Sequence, residues 1–467
     1  MFSKKENTAR WYENIVKISG IALPGIVKGT LFINSKGWNI WERIQAFVNK
    51  EFKKIGLKNI SLPSFIPLSE IEKEKASLTG FIPELYLISK STDPDTKNTF
   101  LRPTSEILFS HFFRSILNSY EDLPLLYNQW CNVFRSEKNT KAFLRSCEFH
   151  WQEAHTLHLT KEEAFEYLNL FHEIYKKLVK ELLNIAFLEG EKTVNERFQG
   201  ALKTLTLEAV MPDGQALQIA TSHYLGQNFS KMFEIKFTNS NNQKDYPHQL
   251  SAGSSTRLIG ALILSHSDDE GLVLPFDLAD VQIKVLVING VVNENSELFN
   301  IINNALKDYL VEWDFSNKSF GWKIKNEELN GTPFVILLGA KELENKVLLI
   351  KSRLDSEKKE VSFENLSNYF KEEIKEYKNK LLEASKSNLK NSIVKCNTLE
   401  EVKKEILENK KIALVPWFDD EENEINFKNE QWGFSPRCIE SRLINSKEFC
   451  FYSGKIATVY AYFGRSY

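Results

Sequence analysis

Cysteine is scarce in this 467-residue sequence: there are five, an odd number. No two stand in C-x-x-C spacing, which argues against a disulfide framework and a tetrahedral zinc site, and for a reducing compartment. Long apolar runs are missing as well, and none reaches the roughly 20 residues that cross a bilayer. The opening MFSKKENTARWYENI has no uninterrupted apolar stretch before its first acidic residue, so no secretory signal is expected. A cytoplasmic protein without membrane association is the expectation. Excess basic charge is absent too, since 60 Lys and Arg stand against 62 Asp and Glu. That excludes a general nucleic-acid coat but leaves room for a local basic face. The phosphate loop G-x-x-x-x-G-K-[ST], a strand-borne G-x-G-x-x-G and H-E-x-x-H are all lacking, so the chain is no ordinary P-loop or Rossmann nucleotide binder.

What is present is enough for a core, with 42% hydrophobic and 26% charged residues over a length that suits two or three domains. Trp41, Ile44, Phe47, Val48 and Phe52 recur at helical spacing, and the following LKNISLPSFIP reads as a strand stopped by proline. Thr160 and Glu163 stand in capping-box spacing before a second helix whose face carries Leu168, Phe171, Tyr175, Leu178 and Leu182. LPLLYNQWCNVFR, FLRSCEFHWQEAHT, TLTLEAVM, QALQIATSHYL and KMFEIKF read as strands. Strands in succession flanked by helices predict an α+β domain, an antiparallel sheet with helices packed on it, over residues 1–278. From Val281 strands and helices alternate, which predicts an α/β domain over 279–387, and a small α/β domain follows over 388–467.

FLRSCEFHWQEAHT mixes charge and aromatics in a way that neither a core strand nor a surface strand explains. One face would carry Arg145, Cys147, Phe149, Trp151, Glu153 and His155. Paired with the strand ending in FRSE, residues 134–137, it makes a hairpin whose loop can close over a ligand. Arginines suit a phosphate, aromatics a wall, and carboxylates an amine or a metal. For Arg135 and Glu137 alone, an amphipathic hairpin with surface ion pairs explains as much.

This hairpin resembles motif 2 of the class II aminoacyl-tRNA synthetases. SLPSFIP, with Pro63, resembles motif 1, and SAGSSTRLIGALI, with Arg257, resembles motif 3. Longer stretches, LRPTSE, LPLLYNQWCNVFRSE, TSHYLGQNFSKMFEI, GLVLPFDLADVQ and the terminal YFGRSY, resemble the prolyl branch of archaeal and eukaryotic-like type. The resemblance implies ATP-dependent ligation of L-proline to tRNA(Pro) through a prolyl-adenylate, in a homodimer. It implies a proline pocket of Thr104, Glu106, Arg135, Trp151, Glu153, Phe198 and His223. ATP would meet Arg135, Glu137, Arg145, Ser146, Gln218, Thr221, Ser255 and Arg257, with Mg2+ travelling on its phosphates, and Arg135 and Arg257 as the catalytic pair.

In the second domain Lys323 and Glu328 are candidates for anticodon bases, and Lys346, Lys351 and Arg353 for phosphates. Taken singly, solvated side chains of an ordinary domain explain each of these equally well. Relatives of this type often hold zinc on four cysteines in the C-terminal domain, but here VPWFDDEENE has no cysteine and FCFYSGK keeps only Cys450. No zinc is expected, and aromatic packing of Trp417, Phe418, Phe451 and Tyr452 would take its place. The 61 positions from Glu153 to Gly214 are too few for the inserted editing domain of bacterial-type relatives. Two alternatives stay open: a threonyl or seryl enzyme of the same subclass, and a catalytically idle paralogue that binds tRNA.

Overall fold

The computed structural model describes residues 3–70, 85–88, 98–288, 290–443 and 447–467. Its centre is an antiparallel sheet whose middle strands are β1 (Leu125–Phe134), β2 (Glu148–His158), β3 (Lys203–Val210), β4 (Gln215–Gly226) and β5 (His248–Ser255), in the spatial order β1-β2-β5-β4-β3. Side chains alternate across a pleated strand, so residues paired directly across neighbours share a face. The register gives Gln129 opposite Glu153, Glu153 opposite Gly253, Gly253 opposite Thr221 and Thr221 opposite Thr206. Two residues along, Tyr127, His155, Ser251, His223 and Thr204 form a second such row. Polar side chains therefore gather on one face. The opposite face carries Ala154, Ala252 and Leu217 into the main core, against helices Lys161–Lys177 and Arg257–His266. Leu258 to Leu264 are all buried in the second of these, which reads as an apolar run because it has core around it.

Local signals behave as expected where they are strong. Thr160 caps Lys161–Lys177 by accepting from the Glu163 N–H at 3.1 Å. The LKNISLPSFIP stretch, by contrast, is two short strands around Pro63: Lys58–Asn59, parallel to β1, and Phe65–Pro67, which pairs with Thr99–Leu101. KMFEIKF is not a strand. Asn228–Met232 is a helical turn that stacks Phe229 on Phe233, and the strand after it is only Phe237–Thr238.

The second domain has a five-stranded sheet in the order Val311–Asp314, Ile283–Val287, Phe334–Leu338, Val347–Ser352, Lys358–Ser362, parallel in its first three strands and antiparallel in the rest. The charged helix Leu366–Ser392 packs Phe370, Tyr377 and Leu381 into its core and runs on into the third region. That third region does not stand apart. Its strands Ile393–Lys395, Ile412–Trp417, β6 (Val459–Ser466) and Ser435–Arg442 extend the central sheet through Leu188–Glu191, and the end of β6 also pairs with the start of β4. No helix among the described residues is long and apolar enough to cross a membrane.

Candidate active site

The polar face of the sheet opens into a cleft of about 240 Å3. Its walls include Thr104, Glu106, Arg135, Trp151, Glu153, Phe198, Gln218, Thr221, His223, Ser255 and Arg257. These come from six separate stretches of chain, and their convergence is what the strand order produces. They also include Phe149 and His155, expected only as part of the mixed strand face, and Arg197, Ser251, Gly253 and Ser254, which the sequence-based expectations did not name. The odd-numbered face of β2 carried a signal for Phe149 and His155; Arg197 and the serines had none beyond their neighbours.

At one end lies a buried carboxylate centre. Thr104 donates through Oγ1 to Glu106 Oε2 in a short hydrogen bond, and Glu106 opens helix Glu106–Ile116 with its side chain 5% exposed. Burial raises its pKa above the usual carboxylate range, with His155 opposing. Glu153, equally buried, is held instead below that range because its hydrogen bonds outweigh desolvation. Gln129 Nε2 reaches Glu153 Oε1 at 2.5 Å, and His155 Nε2 lies 3.2 Å from Oε2. His155 is stacked on Phe109 with ring centroids 4.0 Å apart, so its position is fixed. Phe198 and His223 form the facing wall, rings 5.0 Å apart, with His223 Nδ1 2.9 Å from the Thr204 hydroxyl. Burial, reinforced by His155 and Lys192, pushes the His223 pKa down to about 3, so the ring is neutral at ordinary pH.

Between the ends stands Arg135. Its guanidinium lies 5.5 Å from the ring centroids of both Phe149 and Trp151, and Nε donates to the Pro103 carbonyl at 3.1 Å. The mixed face of β2 is thus the bed of this arginine and the floor of the cleft. At the far end Arg257 donates from Nε to Leu144 O and from Nη1 to Gln218 O, each at 3.2 Å. Burial, with Arg135 and Arg145 adding repulsion, pulls its pKa down to about 10, still protonated at neutral pH. Two arginines in one buried cleft repel each other unless an anion lies between them. Among the described residues the Ser251 hydroxyl on the same wall has no hydrogen-bond partner. Such a site can hold an ammonium at one end, an apolar ring against Trp151 and Phe198, and a polyanion at the other.

Three residues expected near the nucleotide are not in the lining of this cleft, although the charges of Glu137 and Arg145 act on Arg257. Glu137, Arg145 and Ser146 do not line this cleft; Arg145 and Ser146 border a neighbouring, more apolar hollow with Lys141 and Leu31. The reason is local. Strand β2 begins only at Glu148, and residues 141–145 form a tight turn with Phe143 at φ 60° that aims Arg145 at the carbonyl of Tyr467, 3.2 Å away.

In the second domain Lys323 is buried, its ammonium donating to the carbonyls of Val287 and Asp314 at 3.1 Å each, so it is committed to the fold rather than offered to a base. Glu328 is paired with Lys351 at 2.5 Å, and Arg353 is spent on Asp268 at 2.6 Å; only Lys346 stands exposed. Exposed aromatics were overlooked here: Trp322, 46% accessible with Lys318 3.5 Å over its ring, and Phe320 beside Lys358. Near the C-terminus Trp417 packs against Phe427, Phe451 and Phe463 with centroids 5.1–5.8 Å apart, and Cys450 is buried beside them. Among the described residues no group of three His, Cys, Asp or Glu side chains could hold a metal.

Comparison with known proteins agrees in all three regions. Residues 86–266 match the tRNA synthetase class II core domain (G, H, P, S and T), residues 282–373 the anticodon binding domain, and residues 399–467 the prolyl-tRNA synthetase C-terminal domain. A proline–tRNA ligase of Ureaplasma parvum serovar 3 is 42% identical over 469 residues, covering 100% of this chain and 98% of that protein. One of Malacoplasma penetrans is 42% identical over 467 residues, 99% of each. A crystal structure of prolyl-tRNA synthetase from Cryptosporidium parvum complexed with L-proline and AMP superposes with a TM-score of 0.94 at 31% identity, over 100% of this chain and 96% of that one.

Proposed function

The chain belongs to the prolyl-tRNA synthetase family of class II enzymes, ATP-dependent ligases of L-proline and tRNA(Pro), and we propose that the cleft on the central sheet is where it makes prolyl-adenylate. One observation carries this assignment of residues: a buried carboxylate centre, an arginine bedded on two aromatics and a second, half-buried arginine follow one another along a single cleft. Proline needs those features in that order. Its secondary ammonium sits with Glu106 and the Thr104 hydroxyl, its ring between Trp151 and Phe198 against neutral His223, and its carboxylate at Arg135.

The ATP phosphates lie between Arg135 and Arg257, whose mutual repulsion the polyanion relieves, with Gln218, Thr221 and Ser255 along the nucleotide. A proline carboxylate oxygen attacks the α-phosphorus in line and pyrophosphate leaves; a terminal ribose hydroxyl of the tRNA then attacks the prolyl carbonyl and AMP leaves. No protein nucleophile is required, so catalysis is alignment and charge neutralisation by residues already in place. Magnesium is taken to arrive on the phosphates, which with water supply its oxygen ligands. No step is assigned to it.

Anticodon recognition is reassigned from Lys323 to Trp322, where an unstacked base can lie on the exposed indole with Lys318 near its phosphate. A homodimer is supported by the exposed Phe65 and Leu87 on the two outer strands of one small three-stranded sheet beside the motif 1 stretch, which a second copy would cover. Five free thiols support a cytoplasmic location.

Amino-acid-dependent ATP–pyrophosphate exchange without tRNA tests the central reading. Proline should support exchange, and threonine, serine, alanine and cysteine should not approach it. Exchange with none of them, from folded protein, would leave the idle tRNA-binding module standing instead.

A further inference from the structure

The wall of the cleft that carries Arg197 and Phe198 is a short, irregular segment with little to hold it in place by itself. Residues Val194–Glu196 form one 3-10 turn, closed by a Glu196 N–H bond to Thr193 O at 3.1 Å. Arg197 adds local bonds to the carbonyls of Lys192 and Leu202 at 3.4 and 3.0 Å, and further anchors come from more than two hundred residues away. Glu424, fully buried on helix Glu421–Asn429, accepts from the Thr193 hydroxyl at 2.9 Å and from the Asn195 N–H at 3.0 Å. Lys428, one turn on, donates to Asn195 O at 3.0 Å and pairs with Glu196 at 3.1 Å, while Asn195 Nδ2 returns a bond to Glu421 O at 3.1 Å. Glu191, just upstream, is shared between Arg197 at 3.1 Å and Arg442 at 2.9 Å. Behind it the buried Glu208 joins Lys192 to Arg437, the latter at 2.8 Å.

A fully buried carboxylate is costly unless its oxygens are satisfied, and Glu424 is satisfied chiefly by this segment and Lys428. Displacing the segment by an ångström would strand it. We propose that the C-terminal domain positions the amino-acid pocket, with Glu424 as the positioning residue that fixes Phe198 against the bound amino acid's ring. This rests on the proline reading of the cleft and deepens it: the domain contributes to choice of amino acid, not only to stability. Glu424 does not line the cleft, whereas Arg257 does.

The test is exchange kinetics on the full chain. Glu424→Ala and Thr193→Val should each raise KM for proline about tenfold, the scale of a small misplacement in a binding site, with KM for ATP moving less than about twofold. Exchange with alanine relative to proline should rise, because a loosened Phe198 no longer rewards a full ring. Glu424→Gln keeps the acceptor for Thr193 but turns an amide toward the Asn195 N–H, so its effect should be intermediate. Circular dichroism melts establish that each variant folds, and if Glu424→Ala does not, Thr193→Val carries the test because it leaves the helix untouched. Equal rises in both KM values, or an unchanged proline KM in a folded variant, would overturn the proposal. Absence of proline-dependent exchange in the unsubstituted protein would overturn the proline reading itself, a distinguishable result.

Discussion

Replacing Glu106 by Gln separates what this carboxylate does for the ligand from what it costs the fold. It is 5% exposed and shares the carboxylate centre with Glu153, and burial lifts its pKa above the ordinary carboxylate range. In the empty cleft the charged form is therefore the unfavourable one, and a bound ammonium makes it favourable. Glutamine keeps the shape and an acceptor for the Thr104 hydroxyl but cannot carry the charge. Losing one partner of a buried, hydrogen-bonded charge pair costs about 2–4 kcal/mol, which is roughly 30- to 1000-fold in KM for proline. KM for ATP should hardly change, since the nucleotide lies at the other end of the cleft.

The sign of the stability effect is opposite. A carboxyl whose folded pKa is raised contributes stability at low pH that is lost as pH rises through that folded pKa. Glutamine has nothing to lose, so Glu106→Gln should melt higher than the unsubstituted protein at neutral pH, and the gap should close on acidification. In the unsubstituted protein, KM for proline should climb as pH falls and Glu106 takes up its proton. Proline titrations at several pH values, with melts alongside, read all three effects. A proline KM within threefold of normal, or a lower melting temperature at neutral pH, would refute the reasoning.

Lys323 and Trp322 should part in the same way within the second domain. Lys323→Met leaves the Val287 and Asp314 carbonyls without their donor and should destabilise by about 1–3 kcal/mol, whereas Trp322→Ala should leave the melt unmoved and raise KM for tRNA in aminoacylation. The reverse pattern would return the base contact to Lys323. Elemental analysis of purified protein should find zinc well below one equivalent per chain, since the ring cluster of Trp417, Phe427, Phe451 and Phe463 occupies the C-terminal core; a stoichiometric signal would contradict this.

How much of this was legible in the sequence follows from which interactions are local. The polar face of β2, the cap at Thr160 and the apolar helix after Arg257 are written in consecutive residues, so spacing alone locates them. KMFEIKF misleads because its alternation suits a strand, while Phe229 and Phe233 stand four apart and stack as a helical turn. Arg145 misleads for a different reason. Its place in the face pattern is correct only if β2 extends back to it, and the turn at Phe143 ends that pattern before Arg145 can join. Lys323 reads as solvated because lysine usually is; nothing nearby in the sequence says that two carbonyls from separate strands wait for it.

The third region shows the limit most clearly. Its strands alternate as those of any small α/β unit would, and no residue pattern distinguishes a sheet that closes on itself from one that prolongs another. The deciding contacts, Ile439 beside Glu191 and Arg465 beside Gln215, are pairings between edges remote in sequence. Once those edges meet, the backbone groups of both are satisfied together, and separating the domains would expose a row of unpaired donors and acceptors as well as the buried Glu208–Arg437 pair. A loss of packing in the C-terminal core should therefore not stay there. It would be transmitted along a continuous hydrogen-bonded sheet to the strands that floor the cleft, which is a physical reason for the C-terminal region to remain joined to the domain that carries the cleft.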